Sequence, residues 1–470
     1  MCGRYLRRSD KQRLAEVFRV AKDLREMVLP SAVAPPDAPP SRLRALAFAA
    51  GALGLTAVVA FIYRDAARSY FFNDDFQWLQ GARAFTLANV LHIERYNHFY
   101  RPVIEIYFHL GRRLFGCDAF PFHLASIGIH LINTLLLYLF AHALTRSRAF
   151  ASLAAIFFAV QPGHAQAVAW VGAITDLLPA LWYLFAMWTH LLFLQRRHAR
   201  FYVISLAAFV TCLLTHESSA TLLAVMIALE ATVAWERVER VSFTSLAGRA
   251  MRYAPFALLL AGYLVIEYVV NSRSYLVREE HYRIGWHAVP HAIHYLITLW
   301  VGTRDVISQV LMLAVIAALL VRGTPRVRFF VLWMLVTIAP AAFFTWGNVS
   351  RYLYLPAAGF AMLTAEMILA IQRVAARQVS PRAARIAAMT LAMLLATRFA
   401  IFATKVSAGF REGTRAYERY VAAVRKANPP PAAGPLVYID RADAEGIPVL
   451  YQDPAAEVAS CGPDVHVVVR

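Results

Sequence analysis

Charge is scarce in this sequence. Only 16% of its 470 residues are charged, where a soluble protein of this length carries roughly 25%. Cysteine is scarce too, and the four that occur (Cys2, Cys117, Cys212 and Cys461) show no CxxC spacing and no evident pairing. Neither a zinc site nor a disulfide framework is therefore expected. Residues 1–40 are polar and basic and lack the apolar core of a cleavable signal peptide. Insertion would rest on the first spanning helix itself. Acidic residues number 29 against 47 Lys and Arg, a net charge of +18. Such an excess can mark a nucleic-acid binder, but here the basic residues cluster in alternate loops, and no nucleic-acid partner is expected.

What fills the chain is apolar sequence: 59% of residues are hydrophobic and the mean hydropathy is +0.50. Runs near 45–63, 122–143, 148–160, 177–195, 201–214, 219–234, 252–270, 305–321, 328–345, 353–371 and 384–404 make eleven segments. Most are long enough for a bilayer core of about 30 Å. The expectation is an all-α polytopic membrane protein of about eleven spans. With the N-terminus cytoplasmic, the inner loops hold Arg146 and Arg148, then Arg196, Arg197 and Arg200, and later Arg373, Arg377, Arg382 and Arg385. The outer loops 161–176 and 215–218 hold no Lys or Arg, and 346–352 holds only Arg351. That alternation follows the positive-inside rule and puts the C-terminus outside. The expected domains are 1–36 with a Pro-rich linker, 37–404 as the membrane domain, and 405–470 as a small outer segment. In the last, PLVYID, IPVLY and VHVVVR read as short strands of an α/β appendage.

The first outer loop, 64–121, is long. Its RPVIEIYFHLGRRLF stretch puts Glu105, His109, Arg112 and Arg113 on one helical stripe, as in a helix lying flat at the interface. Ahead of it, FFNDDFQWLQGARAF sets Asp74 and Asp75 side by side among aromatics. The pair reads either as a solvated turn or as a carboxylate in a partly desolvated cleft, acting as general base or metal ligand.

The run from NDDF through YRPVIEIYFHLGRRLFGCDAFPFHLASIGIHLINTLLLY resembles the first outer loop and second helix of GT-C glycosyltransferases. It is most similar to bacterial relatives of the transmembrane-and-TPR protein O-mannosyltransferases. AAIFFAVQPGHAQAVAWVGAITDLLPALWYLFA, LLTHESSATLLAVMIALE and RYLYLPAAGFAML continue the resemblance in order, over residues 45–375. It implies a GT-C-like bundle in a bacterial inner membrane. It also implies transfer of a sugar, mannose by analogy, from a polyprenyl-phosphate donor to a protein or glycan acceptor at the outer face. The family's first-loop acid falls on Asp75, with Asp74 in support. Arg351 is the expected partner of the leaving phosphate, or else a snorkelling interfacial arginine. No cofactor is called for, and nothing specific indicates a divalent metal.

One block departs from the family pattern. Where relatives read HPVHxEAVAW followed by Arg-x-Asp, this chain has Gln161, Gln166 and Ile174 in place of the His, Glu and Arg. His164 and Asp176 remain: the first a substrate contact or an interfacial histidine, the second a site acid or a helix N-terminal charge. Arg101 could face the donor phosphate or the lipid headgroups. Glu217, with His216 in a very short outer loop, is a functional candidate or a cap. His130 and Asn133 read as interhelical hydrogen-bonding groups.

Two other readings compete. A transporter would show internal repeats with broken helices, and no convincing repeat is evident. The opening MCGRYLRRSDKQRLAEVF resembles the start of the SOS-response-associated peptidase family, which crosslinks to abasic DNA through a terminal cysteine. That resemblance carries Cys2 over as a nucleophile but ends at about residue 36, before the family's other catalytic residues. The expectation is a fused or misassigned start, with Met27 a conceivable initiator.

Overall fold

The computed structural model describes residues 42–93, 99–234, 243–300, 305–346, 349–427, 436–461 and 466–469. Cys2, Met27 and the whole 1–36 segment lie outside them. By internal contacts the chain divides after residue 54, and the site described below lies in the second unit, 55–470.

Among the described residues, six helices are long and apolar enough to cross a membrane: 119–145, 171–196, 250–271, 325–342, 356–375 and 381–427. Four shorter apolar helices, at 48–62, 148–159, 199–213 and 306–322, join them. Local chemistry sets their ends. Helix α5 (Ala119–Thr145) starts on Asp118, whose side chain accepts the Phe120 N–H, and stops at Arg146 with a left-handed φ of 57°. Ser147 then caps α6 (Arg148–Ala159) by accepting the Phe150 N–H, so two residues turn one helix back on the next. Helix α8 (Ile174–Arg196) ends in the same left-handed way at Arg197 before α9 (Ala199–Leu213). Helix α15 (Pro325–Ala342) opens on a Thr324 cap and Pro325 at its first position. It crosses α16 (Pro356–Ala375) at Gly359, where a Cβ would stand 2.8 Å from the Phe330 carbonyl oxygen.

The 64–121 segment, expected as the first outer loop, contains α2 (Asp74–Gly81), α3 (Leu87–Leu91) and α4 (Pro102–Phe115). The polar stripe of α4 faces α2: Arg112 Nη1–H donates to the Leu79 carbonyl at 3.1 Å, and His109 Nδ1 sits 3.0 Å from the Ala82 carbonyl oxygen. Leu79 belongs to the last turn of α2, whose carbonyls lack partners further along the helix, and Ala82 follows that helix directly.

Helix α17 (Pro381–Ala427) has 47 residues, about 70 Å at 1.5 Å per residue. The expected break at 404 falls inside it. Its far end carries the small appendage: β1 (Leu436–Ile439) pairs in parallel with β2 (His466–Val469), with α18 (Arg441–Ala444) and α19 (Val449–Ser460) between them. The expected middle strand IPVLY is instead the entry to α19. Tyr451, Ala455, Val458 and Ala459 repeat at helical spacing, and the last three are buried, so tertiary packing overrides the β-propensity of Ile, Val and Tyr.

A second correction concerns cysteine. Cys117, at the end of the first outer loop, is disulfide-bonded to Cys461, just after α19, with a Cα–Cα distance of 5.8 Å. The two are 344 residues apart in sequence, which is why no spacing rule could pair them. Cys212 is buried and free.

Candidate active site

Asn73 precedes α2 with φ of 46°, a conformation that asparagine tolerates better than most residues, and its side chain accepts a hydrogen bond from the Tyr417 hydroxyl. This turn sends two consecutive carboxylates into different surroundings. Asp75 is buried. Its Oδ2 accepts the Phe72 N–H at 2.8 Å and its Oδ1 the Gly172 N–H at 2.5 Å. The approach needs a glycine, because a Cβ at 172 would lie 2.7 Å from Asp75 Oδ1. Burial pushes the Asp75 carboxyl well above its usual pKa, against the pull of the two N–H groups. Asp75 ties the first outer loop to the 170–173 turn, where Trp170 Nε1–H also donates to the Phe72 carbonyl at 3.1 Å. Asp74, by contrast, lines a cavity of about 1370 Å³, and its Oδ1 accepts a hydrogen bond from Tyr451 of α19 at 2.5 Å.

Asp176 and Arg351 line the same cavity. Asp176 sits in the first turn of α8, where a negative charge favours the helix dipole. Arg351 lies in the 3-10 turn Ser350–Leu353, which Gln166 holds by accepting Ser350 Oγ–H at 2.9 Å and the Arg351 N–H at 3.3 Å. Gln166, one of the departures from the family pattern, therefore positions the site's arginine without lining the cavity. The Arg351 guanidinium lies 4.8 Å from the Trp170 ring centroid and 5.1 Å from that of Tyr352, cation–π distances that suit arginine. Its Nε is 3.9 Å from Asp176 Oδ2, and neither atom has a hydrogen-bond partner. Burial lowers the Arg351 pKa, but Asp176, Tyr352 and Asp74 together outweigh it, and the guanidinium is held above its ordinary value.

A third group on the wall is a forked pair. Arg101 donates to Glu217 from Nε at 3.0 Å and from Nη2 at 2.6 Å. His216 Nε2 is 3.0 Å from the same Nη2. Burial raises Glu217, yet the charge and hydrogen bonds of Arg101, with His216, together reverse this and hold it at about 2. Burial and Arg101 together push His216 down to about 3. Beside them Glu267 accepts from the Tyr263 hydroxyl at 2.7 Å, Asn271 Nδ2–H at 2.6 Å and the Tyr100 N–H at 3.3 Å.

Of the residues expected from sequence, Asp74, Asp176, Arg351, Arg101 and Glu217 meet around this cavity, while Asp75 and His164 do not line it. His164 is sealed between Phe158 and Tyr354, ring centroids 4.5 and 4.3 Å away. His130 Nδ1 and Asn133 Nδ2 reach the Tyr354 hydroxyl at 2.7 and 3.1 Å, an interhelical network. Glu267 and Tyr451 were missed. A lone carboxylate within the apolar 252–270 run was a usable signal for Glu267, whereas nothing local marks Tyr451. Among the described residues, no group of three or more His, Cys, Asp or Glu could hold a metal ion.

No family model matches the chain. The fold is that of the GT-C membrane glycosyltransferases. The chain is similar to the crystal structure of ArnT from Cupriavidus metallidurans bound to undecaprenyl phosphate, with a TM-score of 0.54 and 14% identity over 90% of this chain and 86% of that one. In sequence it is similar to the protein O-mannosyl-transferase Tmtc1 of Drosophila melanogaster, 27% identical over 189 residues, which is 37% of this chain and 22% of that protein. It is also 35% identical over 88 residues to TMTC1 of Mus musculus, covering 18% of this chain and 9% of the relative. The chain thus matches about a fifth or less of the length of these curated relatives.

Proposed function

We propose that this protein transfers a sugar from a polyprenyl-phosphate donor to an acceptor hydroxyl at the outer face of a bacterial inner membrane. The observation that carries the reading is the one cavity that gathers Asp74, Asp176, Arg351 and the Arg101–Glu217 pair at the first outer loop. A carboxylate and an arginine lining one cavity suit a transfer in which one group takes a proton and the other receives an anion.

In this reading Asp74, rather than Asp75, is the base, because both Asp75 oxygens already accept backbone N–H groups away from the cavity. The acceptor's hydroxyl proton passes to the Asp74 carboxylate, and the oxygen lone pair forms the new bond to the anomeric carbon. The bond from that carbon to the phosphate oxygen breaks, and its electron pair leaves with the lipid phosphate. Arg351, which lines the cavity, receives that phosphate through its guanidinium, and Asp176 keeps the guanidinium aimed. Arg101, engaged in both prongs by Glu217, shapes the wall instead of binding phosphate.

Similarity to protein O-mannosyl-transferases favours mannose as the sugar and a protein hydroxyl as the acceptor. The Cys117–Cys461 disulfide supports the outward orientation, since such bonds persist in oxidising compartments such as the periplasm. Transfer is tested in proteoliposomes carrying the purified full chain, a polyprenyl-phosphate mannose and a Ser/Thr-rich peptide. Loss of turnover in Asp74→Asn and Arg351→Ala supports the reading, and undiminished turnover in both refutes it.

A further inference from the structure

We propose that Tyr451 is an acceptor gate: its phenol occupies, on Asp74, the place that an acceptor hydroxyl must take before transfer. The inference rests on the reading of Asp74 as the base.

The geometry is that of a hydroxyl presented to a base. Tyr451 O–H donates to Asp74 Oδ1 at 2.5 Å, and both residues line the cavity. A base so engaged has one of its two carboxylate oxygens occupied by a donor from its own chain. An incoming hydroxyl that hands its proton to that oxygen must replace this donor.

The helix that brings Tyr451 is buried along its second half and exposes two side chains at its entry. In α19, Ala455, Ala456 and Val458 are fully buried, whereas Val449 and Leu450 are 83% and 65% exposed. Glu457 accepts Gln80 Nε2–H at 2.9 Å and pairs with Arg83 at 3.4 Å, tying the helix to the first outer loop. Cys461 adds the covalent tie to Cys117. Ahead of the helix, Gly446 holds φ of 85°, a conformation that glycine adopts without strain. Tyr420 O–H also donates to the Gln452 carbonyl at 2.9 Å, so the backbone beside the tyrosine is held, and the phenol moves aside by turning about its own side-chain bonds within the cavity that it lines. Leu450, exposed beside it on the cavity rim, offers an apolar contact to whatever enters.

A gate of this kind keeps water, the smallest acceptor, from the base as well. The test therefore measures hydrolysis of a polyprenyl-phosphate mannose by the full-length protein in proteoliposomes, with no other acceptor present, as release of free mannose. Removing one hydrogen bond to a charged group should raise this hydrolysis roughly 10- to 100-fold in Tyr451→Phe, at an unchanged KM for the donor. With a Ser/Thr-rich peptide added, the same variant should show a lower KM for the peptide. Unchanged or slower hydrolysis in Tyr451→Phe overturns the gate. Mannose found covalently on Tyr451 of the wild type also overturns it, because the tyrosine would then be a substrate. Asp74→Asn separates the two claims. If it is inactive while Tyr451→Phe matches wild type, only the gate fails. If it hydrolyses and transfers like wild type, the reading of Asp74 as base fails first.

Discussion

Arg351 and Asp176 face each other across 3.9 Å, from Nε to Oδ2, with no hydrogen bond at either atom. The separation is too long for a hydrogen bond but close enough for an ion pair, so the two charges steady each other without locking together. The neighbouring Arg101–Glu217 pair shows the alternative, closed at 2.6 and 3.0 Å. One arginine of this wall is locked in a fork with a carboxylate, and the other lines the cavity with a looser partner.

Arg351→Ala should therefore lower kcat/KM for a polyprenyl-phosphate sugar by about 10- to 100-fold, the worth of one or more charge-assisted hydrogen bonds. Arg351→Lys keeps the charge but loses the planar fork and the stacking on Trp170, and should recover only part of the loss. Steady-state kinetics in proteoliposomes, with donor concentration varied, reads both. Gln166→Ala, which frees the 350–351 turn without touching the cavity, should weaken donor binding less than Arg351→Ala.

Asp75 and Gly172 should behave as a structural joint. Gly172→Ala puts a methyl 2.7 Å from Asp75 Oδ1, and Asp75→Asn sets an amide against a backbone N–H in a buried place. Each should cost about 1–3 kcal/mol and lower the melting temperature in detergent. Asp74→Asn, on the cavity surface, should leave the melting temperature nearly unchanged.

The pH dependence of stability should carry the signature of Glu217. Its carboxyl is held at about 2 in the folded protein, below its ordinary 4.5. The unfolded chain binds this proton first as the pH falls. The stabilisation is then complete above about pH 4.5, drains away towards pH 2, and amounts to roughly 3 kcal/mol. Melting curves between pH 5 and pH 3 should show the decline in the wild type, and Glu217→Gln should lack it while melting lower throughout.

The sequence made the membrane architecture legible because a bilayer demands length and apolarity, which are local properties. Apolar runs such as 122–143 and 328–345 fall on helices for that reason. It also brought Asp176, Arg351, Arg101 and Glu217 forward, since ionisable residues are conspicuous between apolar helices. It favoured Asp75 over Asp74 as the base, whereas Asp74 is the one that lines the cavity. Neighbours in sequence differ by which way a turn points them, and here the turn is set by Asn73 and by Gly172, 97 residues beyond Asp75. Tyr451 lay out of reach for the same reason, 377 residues from the carboxylate it touches. The strand expected at IPVLY failed because propensity was weighed without the buried face that α19 completes.

The disulfide gives a prediction independent of catalysis. In a Cys2→Ser, Cys212→Ser background, a maleimide mass tag applied to denatured protein should add nothing before reduction and two tags after it. Replacing Cys117 and Cys461 by Ser should lower the melting temperature, in line with the roughly 2–4 kcal/mol typical of a native disulfide.

The central claim is that one carboxylate at the first outer loop takes the acceptor's proton. Its most direct test compares sugar transfer from a polyprenyl-phosphate donor by wild type and Asp74→Asn, with melting temperature measured on the same preparations. A loss of about 10²- to 10⁴-fold in kcat, at an unchanged melting temperature, is what a general base predicts. Wild-type turnover by Asp74→Asn would contradict the account.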